Sequence, residues 1–404
     1  MSDKEQRKAP VLRFKGFTDD WEQRKLNTYL SVSKAKNREG KYTKQDVLSV
    51  SGDFGIVNQI KFQGRSFAGK SVKNYKVVRT GDIVYTKSPL KTAPYGIIKA
   101  NSGVPGIVST LYAVYNPKEN ADSKFVELFF NDQLRLNKYL KPIVNIGAKH
   151  DMKVKNDEVI NHPVVFPNKK EQLRISQLIQ KLDDVIFLQQ RKLNKLKSLR
   201  KGIKESTLPK NLKSPSASFE NTGKIFRFSE LFKRSSEKND GSFSKDKVIS
   251  VANMRWGTAP KNSSDDYMKT YFILRKGDIA FEGNRSKNYS FGRFVANDLE
   301  DGIVSHVFIV YRPKKELNLN YLKYYINDEQ VMRTPLRMST SRTTMMTNLV
   351  QKDIVKQKLL LPSIQEQNKL GELYKKVDAL IQMNRLKLNR LNQLKQFLLQ
   401  KLFV

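Results

Sequence analysis

PNKKEQLRISQLIQKLDDVIFLQQRKLNKLKSLR, residues 167–200, and PSIQEQNKLGELYKKVDALIQMNRLKLNRLNQLK, residues 362–395, are two versions of one text. Pro167, Glu171, Gln172, Leu178, Lys181, Asp183, Ile186, Lys192, Leu193, Asn194, Leu196 and Leu199 return as Pro362, Glu366, Gln367, Leu373, Lys376, Asp378, Ile381, Lys387, Leu388, Asn389, Leu391 and Leu394, each 195 positions later. Apolar residues recur at intervals of three and four in both, the period of one helix face. A proline opens each stretch, and Arg191, Lys195, Arg385 and Arg390 populate the outer face, as on a solvated helix. Each therefore reads as a helix of about 40 residues, roughly 60 Å long. Leu178, Leu182, Val185 and Leu196, with Leu373, Val377, Leu380 and Leu391, are expected to pair the two as an antiparallel coiled coil. The alternative is two amphipathic helices, each lying on its own domain. Gln189 and Asn384 interrupt the stripe at equivalent places, either to fix register or because the stripe turns to solvent there.

The repetition extends outward. YKVVRTGDI at 75–83 answers YFILRKGDI at 271–279, and Val108, Ser109, Tyr115, Pro117, Asn131 and Asp132 answer Val304, Ser305, Tyr311, Pro313, Asn327 and Asp328, now 196 positions apart. The order is globe, helix, globe, helix. Strand patterns fall at 77–78, 83–85, 96–98, 104–115, 271–274, 279–281 and 303–311, and short helices at 124–140 and 320–332, so each globe reads as α+β with small mixed sheets. The expected divisions are 1–166, 167–208, 209–361 and 362–404, the third opening on the linker PKNLKSPSASFE at 209–220.

Lys and Arg number 75 against 39 Asp and Glu, a net charge of 75 − 39 = +36 spread along all 404 residues. Such an excess repels itself unless a polyanion neutralises it, which points to nucleic acid. No segment approaches 18 consecutive apolar residues and the first ten are charged, so neither a spanning helix nor a signal peptide is expected, and the compartment reads as cytoplasmic. Cysteine is absent and His150, His162 and His306 lie far apart, which speaks against disulfides, thiolate chemistry and a metal site.

GRSFAGKS at 64–71, from Gly64 to Ser71, satisfies the phosphate-loop pattern. That chemistry needs an apolar strand before the loop and a helix after it, so that backbone N–H groups cradle the phosphates. Here polar VNQIKFQ precedes, β-branched VKNYKVV follows, and the second copy has no Gly-Lys pair near Pro260. A self-contained nucleotide-dependent DNA enzyme using this loop is thus the rival reading, and a structural coiled-coil adaptor the third. Asp53-Phe54-Gly55 has no accompanying kinase motifs and reads as a turn. No catalytic residue, metal ligand or cofactor is assigned to the chain.

Basic loops with hydrogen-bonding and aromatic residues recur at matching places and differ between copies. The first copy offers Lys87, Ser88 and Lys91, then Asn145, Lys149 and His150; the second offers Asn284, Arg285, Ser286 and Lys287, then Arg337, Ser339, Thr340, Ser341, Arg342 and Thr343, with Asn253, Arg255 and Trp256 as a further set. Arg and Lys suit guanine edges and phosphates, and Asn suits adenine. A repeated frame with unlike loops would read two different half-sequences.

The Pro-x3-Glu-Gln entries at 167–172 and 362–367, the opening VLRFKGFTDDWEQRKL at 11–26 and the R-x-GDI turns resemble type I restriction-modification specificity subunits over essentially the whole chain. The resemblance implies two target-recognition domains, each reading part of a split asymmetric sequence, with antiparallel helices setting the gap. It implies two modification subunits that use S-adenosylmethionine to methylate adenine, and two restriction subunits that use ATP and Mg for translocation and cleavage. The second copy departs by opening with KIFRFSEL, which leaves its first strand and domain edge open. Inserting one helical turn within residues 192–197 is expected to change the spacer between half-sequences and leave both halves intact; an unchanged spacer would remove the ruler.

Overall fold

The computed structural model describes residues 9–89, 93–146, 152–209, 223–342 and 346–404, so the expected linker lies almost wholly outside the described residues. Each copy is closed by its own two ends. Glu22–Lys25 pairs antiparallel with Pro163–Phe166, and Lys224–Arg227 with Lys358–Leu361, immediately before each long helix. The KIFR opening of the second copy is therefore its first strand, although its sequence no longer resembles that of the first.

Inside this clasp lies a four-stranded antiparallel sheet. Its order is Leu30–Val32, Tyr112–Pro117, Ile83–Thr86, Ile98–Ala100 in the first copy and Phe232–Ser235, Ile309–Pro313, Ile279–Glu282, Arg293–Ala296 in the second. The repeated GDI turn leads into its third strand. Gly81 and Gly277 take φ of 90° and 91°, a region open to glycine. The next residue fastens the turn: Asp82 accepts from the Arg79 N–H at 2.7 Å, and Asp278 from the Arg275 N–H at 3.0 Å.

Two sequence-based spans divide. The run 104–115 becomes Gly106–Val108 and Tyr112–Pro117, separated by a turn in which the Tyr112 N–H donates to Ser109 O. Each short helix also breaks in two, as Ser123–Phe130 and Gln133–Leu140, and as Leu319–Tyr325 and Glu329–Ser339. Asp132 and Asp328 cause the break: each carboxylate accepts a backbone N–H of the following turn, capping a new helix.

The long helices run Lys169–Thr207 and Ile364–Lys401. The entry motif now has a physical meaning. The Gln172 amide is fully buried; it accepts from the Asp122 N–H at 2.9 Å and donates to Asn120 O and Pro167 O. Gln367 does the same in its copy, accepting from the Asn318 N–H and donating to Pro362 O. One side chain thus welds a helix to the globe it follows. In the first copy Glu171 adds a bidentate pair with Arg13, both bonds 2.8 Å.

By contacts the chain forms two compact units, Met1–Leu188 with Leu388–Val404, and Gln189–Lys387. Each therefore holds the entry half of its own helix and the exit half of the other. Within the second unit Gln189 meets Asn384, Arg200 meets Asp378 and Thr207 meets Tyr374, so the helices run antiparallel. Within the first, Lys395 Nζ reaches Asp183 at 2.5 Å. Asp183 and Asp378 are 195 apart, as are Arg200 and Lys395, so each unit holds the same ion pair.

The seam lies one position from part of the expected stripe. Leu182 and Val377 are buried and Leu178, Leu196 and Leu391 half-buried, but Val185, Leu373 and Leu380 are 45%, 40% and 42% exposed. The buried steps are Ile175, Ile179, Leu182, Gln189 and Leu193 on the first helix and Leu370, Tyr374, Val377, Ile381 and Asn384 on the second. Runs such as Val185-Ile186-Phe187-Leu188 are apolar on every side, so spacing alone could not choose among neighbours.

The core of the first unit is an aromatic cluster of Trp21, Phe125, Phe129 and Phe166, into which Phe403 stacks on Phe125 at 5.4 Å. Phe403→Ala is expected to destabilise this unit by about 3–5 kcal/mol, read as a lower urea midpoint. In the second unit Tyr321 occupies the place of Phe125; its hydroxyl is buried and has no hydrogen-bond partner among the described residues. Tyr321→Phe is accordingly expected to stabilise the second unit by about 1 kcal/mol, and a loss of stability would show that the hydroxyl is satisfied.

Candidate nucleic-acid interface

In the second copy the fold gathers loops that are distant in sequence. Thr347 donates to Gly283 O through both its backbone N–H and its hydroxyl, at 2.9 and 2.8 Å. A Cβ on Gly283 would stand 2.2 Å from Thr347 O, so this approach requires glycine. The hairpin of Thr340–Arg342 with Thr347–Leu349 is thereby held against residues 284–287. Asn284, Arg285, Ser286, Lys287, Arg337, Ser341 and Arg342 are exposed there, with the Arg342 guanidinium 5.9 Å from the Phe291 ring. Ser339 is instead wholly buried, because the helix Glu329–Ser339 turns its last residue inward, and it cannot reach a ligand from that position. Thr340 is half-buried and spends its hydroxyl on Leu336 O, while Thr343 lies outside the described residues.

The first copy builds the same corner differently. Its hairpin is Asn145–Ile146 with Met152–Lys153, and Asn145 is exposed on it. Lys87 is half-buried, donating from Nζ to Val154 O at 2.8 Å, and burial lowers its pKa against the pull of Glu158. This lysine ties the strand end to the hairpin segment rather than standing free. Ser88 is exposed; Lys91, Lys149 and His150 lie outside the described residues.

A second element repeats. A 3-10 turn, Lys44–Asp46 or Lys245–Lys247, leads to a parallel bridge, Val47 with Ile107 or Val248 with Ile303, and then to a hairpin. In the second copy this hairpin carries Asn253, Arg255 and Trp256, all exposed, with Lys247 Nζ 4.7 Å from the Trp256 ring. Arg293 holds its base, donating to Ala252 O while paired with Glu282. The equivalent hairpin of the first copy, Leu48–Ser51 with Gly55–Asn58, puts Phe54 at its tip. The Asp53-Phe54-Gly55 pattern alone reads as a turn, and only the fold makes it the counterpart of residues 253–256.

The phosphate-loop match finds no cradle. Helix Gln59–Gln63 precedes it, Gly64 ends that helix in a left-handed cap, and no helix follows Ser71 before the strand Lys76–Val78. Among the described residues no group of three or more His, Cys, Asp or Glu is placed to hold a metal, and no helix is long and apolar enough to cross a membrane.

Residues 221–395 match the family described as the type I restriction modification DNA specificity domain. No curated protein matches the chain. In fold the chain is similar to the S subunit of a type I restriction-modification system from M. genitalium, with TM-score 0.57 and 14% identity over 98% of this chain and 99% of that one. It is also similar to a chain from a structure on complex assembly and conformational transition of the type I R-M system, with TM-score 0.50 and 16% identity over 95% and 97%. At such identities the likeness is one of fold, and it spans both copies and both helices. Residues 221–395 thus match the type I restriction modification DNA specificity domain, and over its whole length the chain is similar in fold to the S subunit from M. genitalium.

Proposed function

We propose that this chain is a type I specificity subunit that reads a bipartite, asymmetric site on double-stranded DNA, one half-sequence per copy. The observation that carries the reading is the contrast between frame and loops. Clasp, sheet, GDI turn and helix entry repeat, whereas residues 284–287 and 337–342 have no sequence likeness to their counterparts around Lys87 and Asn145. Two unlike sets of donors on one frame give two unlike half-sequences. The net charge of +36 supplies the sequence-independent part of binding.

Chemistry falls to partners in this reading: two modification subunits that bring S-adenosylmethionine to adenine, and two restriction subunits that bring ATP and Mg. Exposed apolar side chains on the helices support such docking. Val185 and Leu188 in the first unit, and Leu380 and Met383 in the second, are 42–60% exposed and stand 195 apart. Repeated exposed apolar positions of this kind mark protein contacts. The assembly would work in the cytoplasm.

Mapping methylated adenines in DNA from cells carrying the chain with its modification partner tests the proposal. Two separated half-sequences are expected, and exchanging residues 211–361 for those of another specificity subunit is expected to change one half only. Arg255→Ala is expected to weaken binding by about 1–3 kcal/mol if the side chain reads a base, with relaxed preference at one position. Sequence-blind binding would instead favour a structural adaptor.

A further inference from the structure

The stretch that imitates a phosphate loop remains unexplained by its own motif. Between Asp53 and Asp82 the chain has no carboxylate and six cations: Lys61, Arg65, Lys70, Lys73, Lys76 and Arg79. Among the described residues Lys61, Arg65, Lys70 and Lys73 are exposed and make no ion pair. Amid them stand three exposed phenylalanines, Phe54 at 67%, Phe62 at 44% and Phe67 at 58%.

This surface is built rather than loose. The Phe54 and Phe62 rings touch, with centroids 5.4 Å apart, joining the hairpin tip to helix Gln59–Gln63. Ser51 Oγ accepts the N–H groups of Asp53 and Phe54 and shapes the tip. Gln59 accepts the Phe67 N–H at 2.7 Å and donates to Ser49 Oγ at 3.2 Å, pinning the following loop to the sheet side of the hairpin. Arg65 lies over the Phe67 ring at 4.6 Å. Leaving three large apolar rings in water costs stability that a folding argument does not repay. The equivalent hairpin of the other copy independently presents an exposed aromatic, Trp256, with a lysine stacked on it.

We infer that Phe54, Phe62 and Phe67 form a stacking surface for nucleobase faces, with Lys61, Arg65 and Lys70 holding the adjoining phosphates. The inference rests on the DNA reading above and assigns the phosphate-loop look-alike a part in it. Aromatic rings give sequence-tolerant stacking, and apolar wedges among cations open base steps in duplex DNA. The charge pattern selects the occupant, since Lys61, Arg65, Lys70 and Lys73 outnumber the exposed Asp53 at the tip and leave a cationic rim, which complements a phosphate backbone and disfavours a basic protein face. A base face can come from an opened duplex step or from an unpaired strand.

The test uses the full chain with its modification partner and a duplex carrying the mapped site, with 2-aminopurine stepped through both half-sequences except at the methylated adenines. Wild type is expected to raise the fluorescence at one or two adjacent positions. Phe54→Ala is expected to abolish that rise and weaken binding roughly tenfold, with unchanged melting temperature and unchanged salt slope. Phe54→Tyr should restore both, and Lys70→Gln should reduce the salt slope without removing the rise. The labelled strand alone identifies the source: phenylalanine-dependent binding that persists there assigns an unpaired strand, and its loss assigns a duplex step. A rise absent from wild type, or persisting when all three phenylalanines are alanine, overturns the stacking surface while leaving the DNA reading intact. Failure of wild type to prefer the mapped site overturns both.

Discussion

Near the middle of the paired helices Gln189 donates from Nε2 to Asn384 Oδ1 at 2.7 Å and to Asn384 O at 3.2 Å, while Asn384 donates to Leu380 O. The two positions are equivalent in the repeat, so a residue meets its own counterpart. In an antiparallel pair that contact occurs only where the local two-fold axis of the helices passes. Both side chains are buried, at 7% and 3% exposure, so the stripe does not turn to solvent there. A neutral amide pair adds only about 1 kcal/mol net, but any shift of register leaves both amides buried and unpaired. The apolar neighbours supply adhesion, and the buried pair favours the alignment that keeps both amides hydrogen-bonded.

The rest of the architecture depends on that alignment. With it in place, the exit half of each long helix lies within the other unit. There Leu398, Leu402 and Phe403 complete the first core, and Leu208 joins the second. Neither globe can close its core from its own repeat alone. The matching Asp183–Lys395 and Asp378–Arg200 pairs are partly exposed, and such pairs contribute little to stability. Their recurrence at one offset reflects a duplicated geometry more than a strong bond.

Legibility in the sequence followed how local the physics was. Helix existence and the duplication could be read because period and spacing survive in the residues themselves. The entry motif could be seen but not understood, since Gln172 and Gln367 act on backbone groups about 50 residues away. Val185, Leu373 and Leu380 fit the expected stripe yet stand 40–45% exposed, because all-round apolar runs do not reveal which neighbour faces inward. The second copy's first strand was hidden because Lys224–Arg227 pairs with Lys358–Leu361 through backbone hydrogen bonds, which leave side chains free to diverge. Among the candidate residues, charge marks basic loops but not which of their side chains are buried. Ser339 and Lys87 satisfied the composition rule, yet one is enclosed and the other is committed to Val154 O.

That separation between frame and loop lets the exposed loops change without loss of the frame. The clasp is made by backbone pairing, the helix weld by one buried amide per copy, and the alignment by one amide pair at the seam. None of these depends on residues 284–287, 337–342 or the hairpin tips. The loops are constrained at only a few points, such as Gly283 against Thr347 or Gln59 against the Phe67 N–H, and these constraints act on backbone. Side chains between the fixed points are therefore free to change at little cost in stability, since exposed substitutions usually shift it by less than about 0.5 kcal/mol. The limit falls where a loop side chain has been recruited inward. Replacing Lys87 or Arg293 would disturb the fold as well as the surface, so variation at low cost in stability is steered toward the remaining exposed positions.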